Sequence, residues 1–186
     1  NLFIEGDSKK YDGQPLAVKA ASFALNNVAL SDTYENQYKK SLKYDFPIQY
    51  SIDGEKWVDN PADIVLINAD TYTVYAKQDV EVTLTDMDGK KETKIRHVTG
   101  SATYIITKRD VTLTSASDTK EYDGTPLTNN TVTAEGFVNG EGATYNVTGT
   151  QTEVGSSENN FTYTLNSNTK AGNYKITTQY GTLTVT

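Results

Sequence analysis

Hydrophobic and polar residues alternate with a period of two over most of this chain. The clearest runs are residues 72–76, 103–106, 111–114, 161–165 and 183–185. A period of two places successive side chains on opposite faces of a pleated strand, so these runs predict half-buried β-strands. Asp53-Gly54 and Asp88-Gly89 each separate two such runs, and this dipeptide is typical of a tight hairpin turn. We therefore predict one hairpin around residue 54 and another around residue 89.

Helical patterning is nearly absent. Residues 16–30 have a helical composition, but their apolar positions fit a helix and an irregular strand equally well, and the polar residues 32–43 fit a helical turn or a loop. Many short strands separated by turns predict an all-β sandwich or barrel. We predict Ig-like β-sandwiches, with a β-grasp-like fold as the alternative for either half of the chain, particularly if residues 16–30 are helical.

The chain contains an internal repeat. Three segments of the first half recur in the same order in the second: residues 9–16 match 120–127, 68–74 match 170–176, and 100–107 match 181–186. Self-similarity in a fixed order indicates copies of one structural unit. We predict a first domain over residues 1–109, carrying an extra hairpin at 80–98, and a shorter second domain over residues 110–186.

The first matched segment has the pattern Tyr-Asp-Gly-x-Pro-Leu. Its residues are Tyr11, Asp12, Gly13 and Pro15 in the first copy, and Tyr122, Asp123, Gly124 and Pro126 in the second. Glycine permits a positive φ, aspartate caps a turn locally, proline fixes the exit direction, and the tyrosine and leucine pack. Because the pattern occurs in both copies, we interpret it as a structural turn rather than a binding loop.

The second matched segment carries a tyrosine two residues before an aliphatic position. Tyr72 precedes Val74, and Tyr174 precedes Ile176. In immunoglobulin-like sandwiches a tyrosine with this spacing packs at a corner and hydrogen-bonds the upstream backbone. We predict this structural role for both tyrosines, with the aliphatic residue where a disulfide-linked sandwich has cysteine.

Composition narrows the classes of function. The 186 residues include no cysteine and one histidine, which excludes disulfides, thiolate chemistry and two-histidine metal sites. The net charge of −7 argues against a nucleic-acid partner, and no apolar run is long enough to insert in a membrane. The 13 tyrosines and 28 threonines suit half-wet strands and argue against disorder. We predict no cofactor and no catalytic activity.

Few residues suggest a site. Asp86, Asp88 and Glu92 hint at a calcium loop, but the stretch is too short for one, and a charged hairpin tip fits it better. His97 has no motif that ties it to a serine or an acid, so we interpret it as a solvated strand residue. Four aromatic residues specific to the first copy are candidates to face a ligand: Tyr34, Tyr38, Tyr44 and Tyr50.

The ordered motifs resemble a known family. Lys-x-Tyr-Asp-Gly-x-Pro-Leu, followed by Ala-Gly-Asn-Tyr-x-Ile and a closing Gly-Thr-Leu-Thr-Val-Thr, resembles the YDG and MBG-type repeat domains of large bacterial surface proteins. Residues 50–57 and 69–77 also resemble extracellular Ig-like repeats of Gram-positive anaerobes, although Asp70 replaces their usual glycine. The resemblance implies an extracellular, cell-surface or cell-wall setting and a stalk or adhesion role, with no family-wide catalytic residues to transfer.

Two functional hypotheses remain open at this point. The first is a non-catalytic structural or adhesion module of a secreted or wall-attached bacterial protein, whose partners are adjacent repeat domains of the same chain. The alternative is a module of a larger extracellular protein that binds a carbohydrate or glycoprotein, such as a host glycan. A hydrolase would need carboxylates that converge in a cleft, and no motif pairs them here.

Overall fold

β-Strands dominate the computed structural model, which describes residues 1–23 and 39–186. The first seven strands are β1 (Leu2–Phe3), β2 (Asp7–Lys10), β3 (Ser22–Phe23), β4 (Lys39–Lys43), β5 (Gln49–Ser51), β6 (Asp70–Thr85) and β7 (Lys91–Thr107). The other eight are β8 (Arg109–Ser115), β9 (Asp118–Lys120), β10 (Val132–Glu135), β11 (Ala143–Val147), β12 (Gly155–Glu158), β13 (Phe161–Leu165), β14 (Tyr174–Gln179) and β15 (Thr182–Val185). Two 3₁₀ turns cover Pro61–Asp63 and Ala171–Asn173. The described ranges contain no α-helix, and the prediction of an all-β chain is confirmed.

The predicted helical alternative concerns residues 16–30, of which only 16–23 are described. This part has no helical turn and ends in β3. The rest of that stretch, and most of the polar segment 32–43, lies outside the described residues.

The chain divides into two compact units. The first unit is Asn1–Lys9 with Pro15–Ile106, and the second is Lys10–Gln14 with Thr107–Thr186. The chain therefore passes between the units after residues 9, 14 and 106. The predicted division into residues 1–109 and 110–186 places Lys10–Gln14 in the first domain, whereas the structure groups this segment with the second unit.

The first unit is built on one long hairpin. β6 and β7 pair from Asp70 opposite Ile106 to Thr85 opposite Lys91, in a sheet of order β2-β7-β6-β4 in which β5 also pairs with β6. The Asp86 carboxylate accepts hydrogen bonds from the amides of residues 88 and 90, and Gly89 has a φ of +82°. The predicted hairpin at Asp88-Gly89 is thus confirmed. Its outer half on β7, residues 91–97, is exposed and carries three basic residues and one acid.

The core of this unit lies under the inner half of the hairpin. Its buried side chains include Leu66, Val74, Ala76, Val80, Tyr104 and Ile106. The other predicted hairpin is confirmed: Tyr50 and Val58 exchange backbone hydrogen bonds of 2.8 and 2.9 Å, and Gly54 has a φ of +77°. The Asp53 carboxylate accepts hydrogen bonds from two backbone amides of this turn, and these bonds lower the pKa of the carboxyl.

The second unit contains three small sheets. Their strand orders are β10-β8-β14, β11-β13 and β12-β15-β9. β14 runs parallel to β8 and β15 runs parallel to β9, whereas the other pairs are antiparallel. The buried residues Val111, Leu113, Leu127, Phe161, Leu183 and Val185 lie on these strands or directly beside them. Several sheets around an apolar core are consistent with the predicted β-sandwich type.

Candidate functional site

The two Tyr-Asp-Gly turns have the same backbone geometry. Gly13 and Gly124 both have a φ of +77°, which an L side chain rarely adopts. In each turn the preceding carboxylate, Asp12 or Asp123, accepts a hydrogen bond at 2.9 Å from the amide two residues further along. The leucines that follow the prolines are buried in both copies. These contacts are those of a structural turn, as the recurrence of the motif suggested.

Both turns are attached at the end of a matching strand segment. The Tyr11 amide donates to the Thr107 carbonyl at 2.8 Å, and the Tyr122 amide donates to the Thr186 carbonyl at 2.9 Å. The two threonines end the segments 100–107 and 181–186, which match in sequence. The repeat is therefore also a repeat of backbone contacts, and it equates Thr107 with Thr186.

The tyrosine side chains differ between the copies. Tyr11 is only 5% exposed, its hydroxyl donates to Glu141 Oε2 at 2.8 Å, and its ring meets Tyr174 edge-to-face with centroids 5.5 Å apart. Burial, reinforced by the Glu141 carboxylate, raises the pKa of Tyr11 to about 12. Tyr122 is 51% exposed. The expectation that the motif tyrosine packs in both copies is thus met by Tyr11 and not by Tyr122.

Tyr11 lies against Tyr174 and Glu141 of the second unit, and Phe137 and Val138 contact Tyr174 in turn. We call these four residues, Phe137, Val138, Glu141 and Tyr174, the tyrosine pocket. The Phe137 ring meets Tyr174 edge-to-face at 5.1 Å, and the Val138 amide donates to the Tyr174 hydroxyl at 3.1 Å. Glu141 Oε1 is buried and has no hydrogen-bond partner among the described residues. The pocket combines two aromatic faces with a carboxylate acceptor, a combination that suits a phenol.

The predicted tyrosine corner occurs in the first copy. The Tyr72 hydroxyl donates to the Asn68 carbonyl four residues upstream at 2.7 Å, and Val74 is fully buried. Burial raises the pKa of Tyr72. Tyr174 differs because its hydroxyl accepts from the Val138 amide in the tyrosine pocket. Tyr174 is buried and its hydroxyl also bonds upstream backbone, but the partner lies 36 residues before it rather than four.

A polar groove of about 430 Å³ lies on the first unit. Its lining residues are Phe46, Pro47, Gln49, Asp59, Lys77, Gln78, Asp79 and His97. Gln49 Nε2 donates to Asp59 Oδ1 at 3.0 Å, and His97 Nδ1 lies 2.5 Å from Asp79 Oδ1. His97 is well exposed on its strand, in line with the interpretation of a solvated residue.

Gln78 is buried, lines this groove and fixes the backbone of the neighbouring segment at Tyr44 and Phe46. Its Nε2 donates to the carbonyls of Tyr44 and Phe46 at 2.7 and 2.8 Å, while its Oε1 is buried without a hydrogen-bond partner among the described residues. At the side of the groove, Lys77 Nζ lies 4.1 Å above the Trp57 ring, a cation–π contact. Sequence reasoning missed this site because its residues come from four separate segments, and no motif unites them.

Of the four predicted ligand-facing aromatics, the structure describes Tyr44 and Tyr50, and these two do not share one surface. Tyr34 and Tyr38 lie outside the described residues. Tyr44 is partly exposed and stacks on Phe23 at a centroid distance of 5.0 Å. For Tyr50 the expectation is wrong: it is 3% exposed and its hydroxyl accepts from the Ala21 amide at 2.9 Å, so it is a core residue.

Within the described ranges, no three or more His, Cys, Asp or Glu side chains are grouped so as to hold a metal ion. The Asp86 carboxylate, which suggested a calcium loop, accepts amide hydrogen bonds of its own hairpin turn. None of the described helices has the length and apolarity needed to cross a membrane.

Comparison with known families identifies the chain. The family model of the MBG domain matches residues 2–108, more than half of the sequence. The chain belongs to the MBG domain family. The match covers almost all of the first copy and confirms the resemblance read from the repeated motifs. The MBG domain is typical of surface proteins, where it is a repeat module. Searches of curated proteins and of solved structures found no significant match.

Proposed function

We propose that this MBG chain is a non-catalytic stalk or spacer segment of a secreted or wall-attached surface protein. The observation that carries the proposal is the parallel pairing of the strands at both ends of the second unit. β8, its first strand, pairs with β14 over six residues, and β15, its last strand, pairs with β9 over three.

This arrangement suits a module that bears tension. When the ends of a unit are pulled apart, a terminal strand in a parallel pair is drawn along its own axis. All the hydrogen bonds of that pair then carry load together, whereas a hairpin pulled open at its end loses its bonds one by one. One residue, Lys108, separates β7 from β8, so force passes from strand to strand with little slack.

The surface composition supports the same proposal. A net charge of −7 on 186 residues favours solubility and disfavours self-association in a crowded array. The repeated Tyr-Asp-Gly motif, which could have been a binding loop, makes turn contacts in both copies. The partners that fit this role are adjacent repeat units of the same protein.

Single-molecule pulling tests the proposal. The chain has no cysteine, so engineered cysteines define where force is applied. We expect the second unit to resist higher force when pulled through the chain ends than when pulled through Thr144→Cys and Thr164→Cys, a directly opposed pair on exposed faces of β11 and β13. The first geometry shears parallel ladders and the second opens an antiparallel pair. Equal forces in the two geometries would contradict a load-bearing role.

A second candidate function is carbohydrate or glycoprotein binding, and the groove on the first unit favours it. The groove presents the carboxylates of Asp59 and Asp79, an amide at Gln49 and the ring of Phe46 on an open surface. Paired polar groups beside an aromatic face match the hydroxyls and the apolar face of a sugar ring.

A glycan array tests this candidate with two matched variants. We expect Lys77→Ala to abolish any binding, because Lys77 lines the groove and its ammonium group is held in place over the Trp57 ring. Lys91→Ala, an exposed lysine at the hairpin tip, removes the same charge away from the groove. An array without hits, or equal loss in both variants, would count against sugar binding and leave the spacer role intact.

A further inference from the structure

Tyr122 occupies the place in its copy that Tyr11 occupies in the first, yet its ring is exposed. The backbone of the two turns is the same, from the φ of the glycine to the amide bond on the terminal threonine. The difference therefore does not come from the turn. It comes from what surrounds the ring: Tyr11 lies in the tyrosine pocket, which is made by residues downstream of Lys108.

We propose that Tyr122 is a docking residue for a further repeat unit that carries the same tyrosine pocket. The inference rests on the proposed function as a segment of a repeat array, and it adds the residue on which a further unit would dock. The internal repeat identifies the partner. A further unit that begins after Thr186 would contact Tyr122 in the way that the residues after Thr107 contact Tyr11.

The pocket shows what such a partner must supply. It needs an aromatic ring placed edge-on at about the distance of Tyr174, 5.5 Å between centroids, and a carboxylate that accepts the phenol at the place of Glu141. Space is equally restricted on the turn side, because a Cβ at Gly13 would lie 3.1 Å from Val138 Cγ1. Gly124 has the same φ, so the second turn has the shape the pocket requires.

The Lys120 side chain stabilises the second turn in this shape. Its Nζ donates to Asp123 Oδ1 at 2.9 Å and to Thr125 Oγ1 at 2.7 Å, and the Asp123 carboxylate also accepts from the Thr125 amide and hydroxyl. These hydrogen bonds lower the pKa of Asp123, with the bond from Lys120 as the largest cause. The turn that presents Tyr122 is thus ordered before any partner arrives, which reduces the entropy lost on docking.

A three-unit chain tests the proposal. It consists of residues 1–186 followed directly by a second copy of 108–186, so that Lys108 follows Thr186 as it follows Thr107. In this chain we expect tetranitromethane to nitrate Tyr122 more slowly than in the 186-residue chain. The expected decrease is about the ratio of the nitration rates of Tyr122 and Tyr11 in the 186-residue chain. We also expect Tyr122→Ala to lower the urea midpoint of the added unit, and Tyr11→Ala to lower that of the second unit.

Matched variants separate docking from a general effect. In the 186-residue chain, Tyr122→Ala should leave the midpoint unchanged. Tyr163→Ala, a similarly exposed tyrosine on β13, should have the same effect in both chains. Unchanged nitration of Tyr122 would overturn the proposal. So would an added copy that fails to fold, since it differs from the second unit only in the turn that precedes it. The pulling experiment uses the 186-residue chain alone, so failure of the spacer role would be seen separately.

Discussion

Replacing Gly136 by alanine should destabilise the second unit by about 3 kcal/mol, because two costs meet at this residue. Its φ of +114° lies in the region that disfavours any Cβ, and an added Cβ would approach the Asp110 carbonyl oxygen to 2.1 Å. That oxygen is backbone of β8 and cannot move without shifting the strand. The Gly136 carbonyl also accepts a hydrogen bond from Arg109 Nε at 2.7 Å, which the shift would weaken.

Two other glycines of the same unit separate the costs. Gly140 has a φ of +87° but open space around its missing Cβ, so Gly140→Ala should cost about 1 kcal/mol. Gly172 has neither feature, and Gly172→Ala should lie within about 0.5 kcal/mol of the parent. Hydrogen exchange of the β8 and β14 amides under native conditions gives the free energy of unfolding for this unit. Equal losses at Gly136 and Gly140 would show that the contact with Asp110 is unimportant.

Replacing Tyr104 by alanine should destabilise the first unit by about 4 kcal/mol. Tyr104 is 0% exposed, and its hydroxyl both donates to the Glu5 carbonyl and accepts from the Lys19 amide at 3.0 Å. The substitution leaves a cavity and two backbone groups without their partner. The single tryptophan, Trp57, belongs to this unit, so urea unfolding followed by its fluorescence reports the loss directly.

The Tyr104→Phe variant isolates the hydrogen bonds. It keeps the ring and should cost about 2 kcal/mol for two unsatisfied backbone groups. Tyr75→Ala on the neighbouring strand removes an exposed ring and should change stability by about 0.5 kcal/mol. If Tyr104→Phe were neutral, the hydroxyl would have no structural role, and the tie between β7 and the segments near Glu5 and Lys19 would rest on packing alone.

Local chemistry explains what could be predicted from the sequence. The turns at Gly54 and Gly89, the two Tyr-Asp-Gly turns and the Tyr72 corner each depend on residues fewer than six positions apart. A positive φ needs glycine and a short carboxylate reaches only the nearest amides, so the pattern contains nearly all the information. The all-β class follows likewise from the period of two.

Long-range contacts explain what could not be predicted. Tyr50 is specific to the first copy and is predicted to face a ligand, yet it is buried and its hydroxyl accepts from the Ala21 amide. Tyr174 has the spacing of a corner residue, yet a loop 36 residues upstream occupies its hydroxyl. The groove assembles residues from the segments around positions 47, 59, 78 and 97. In each case the contacting residues lie in another part of the sequence, and no sequence motif identifies them.

The charged outer half of β7 has a consequence for how copies of this protein coexist. Residues 91–97 include three cationic side chains, Lys91, Lys94 and Arg96, and one carboxylate, Glu92. Among the described residues, β7 pairs on one side with β6 and on the other with β2, which is only four residues long. An open strand edge invites a second molecule to extend the sheet. Two such edges brought together would set cations against cations, so the hairpin resists the edge-to-edge aggregation that dense display of β-rich modules otherwise encourages.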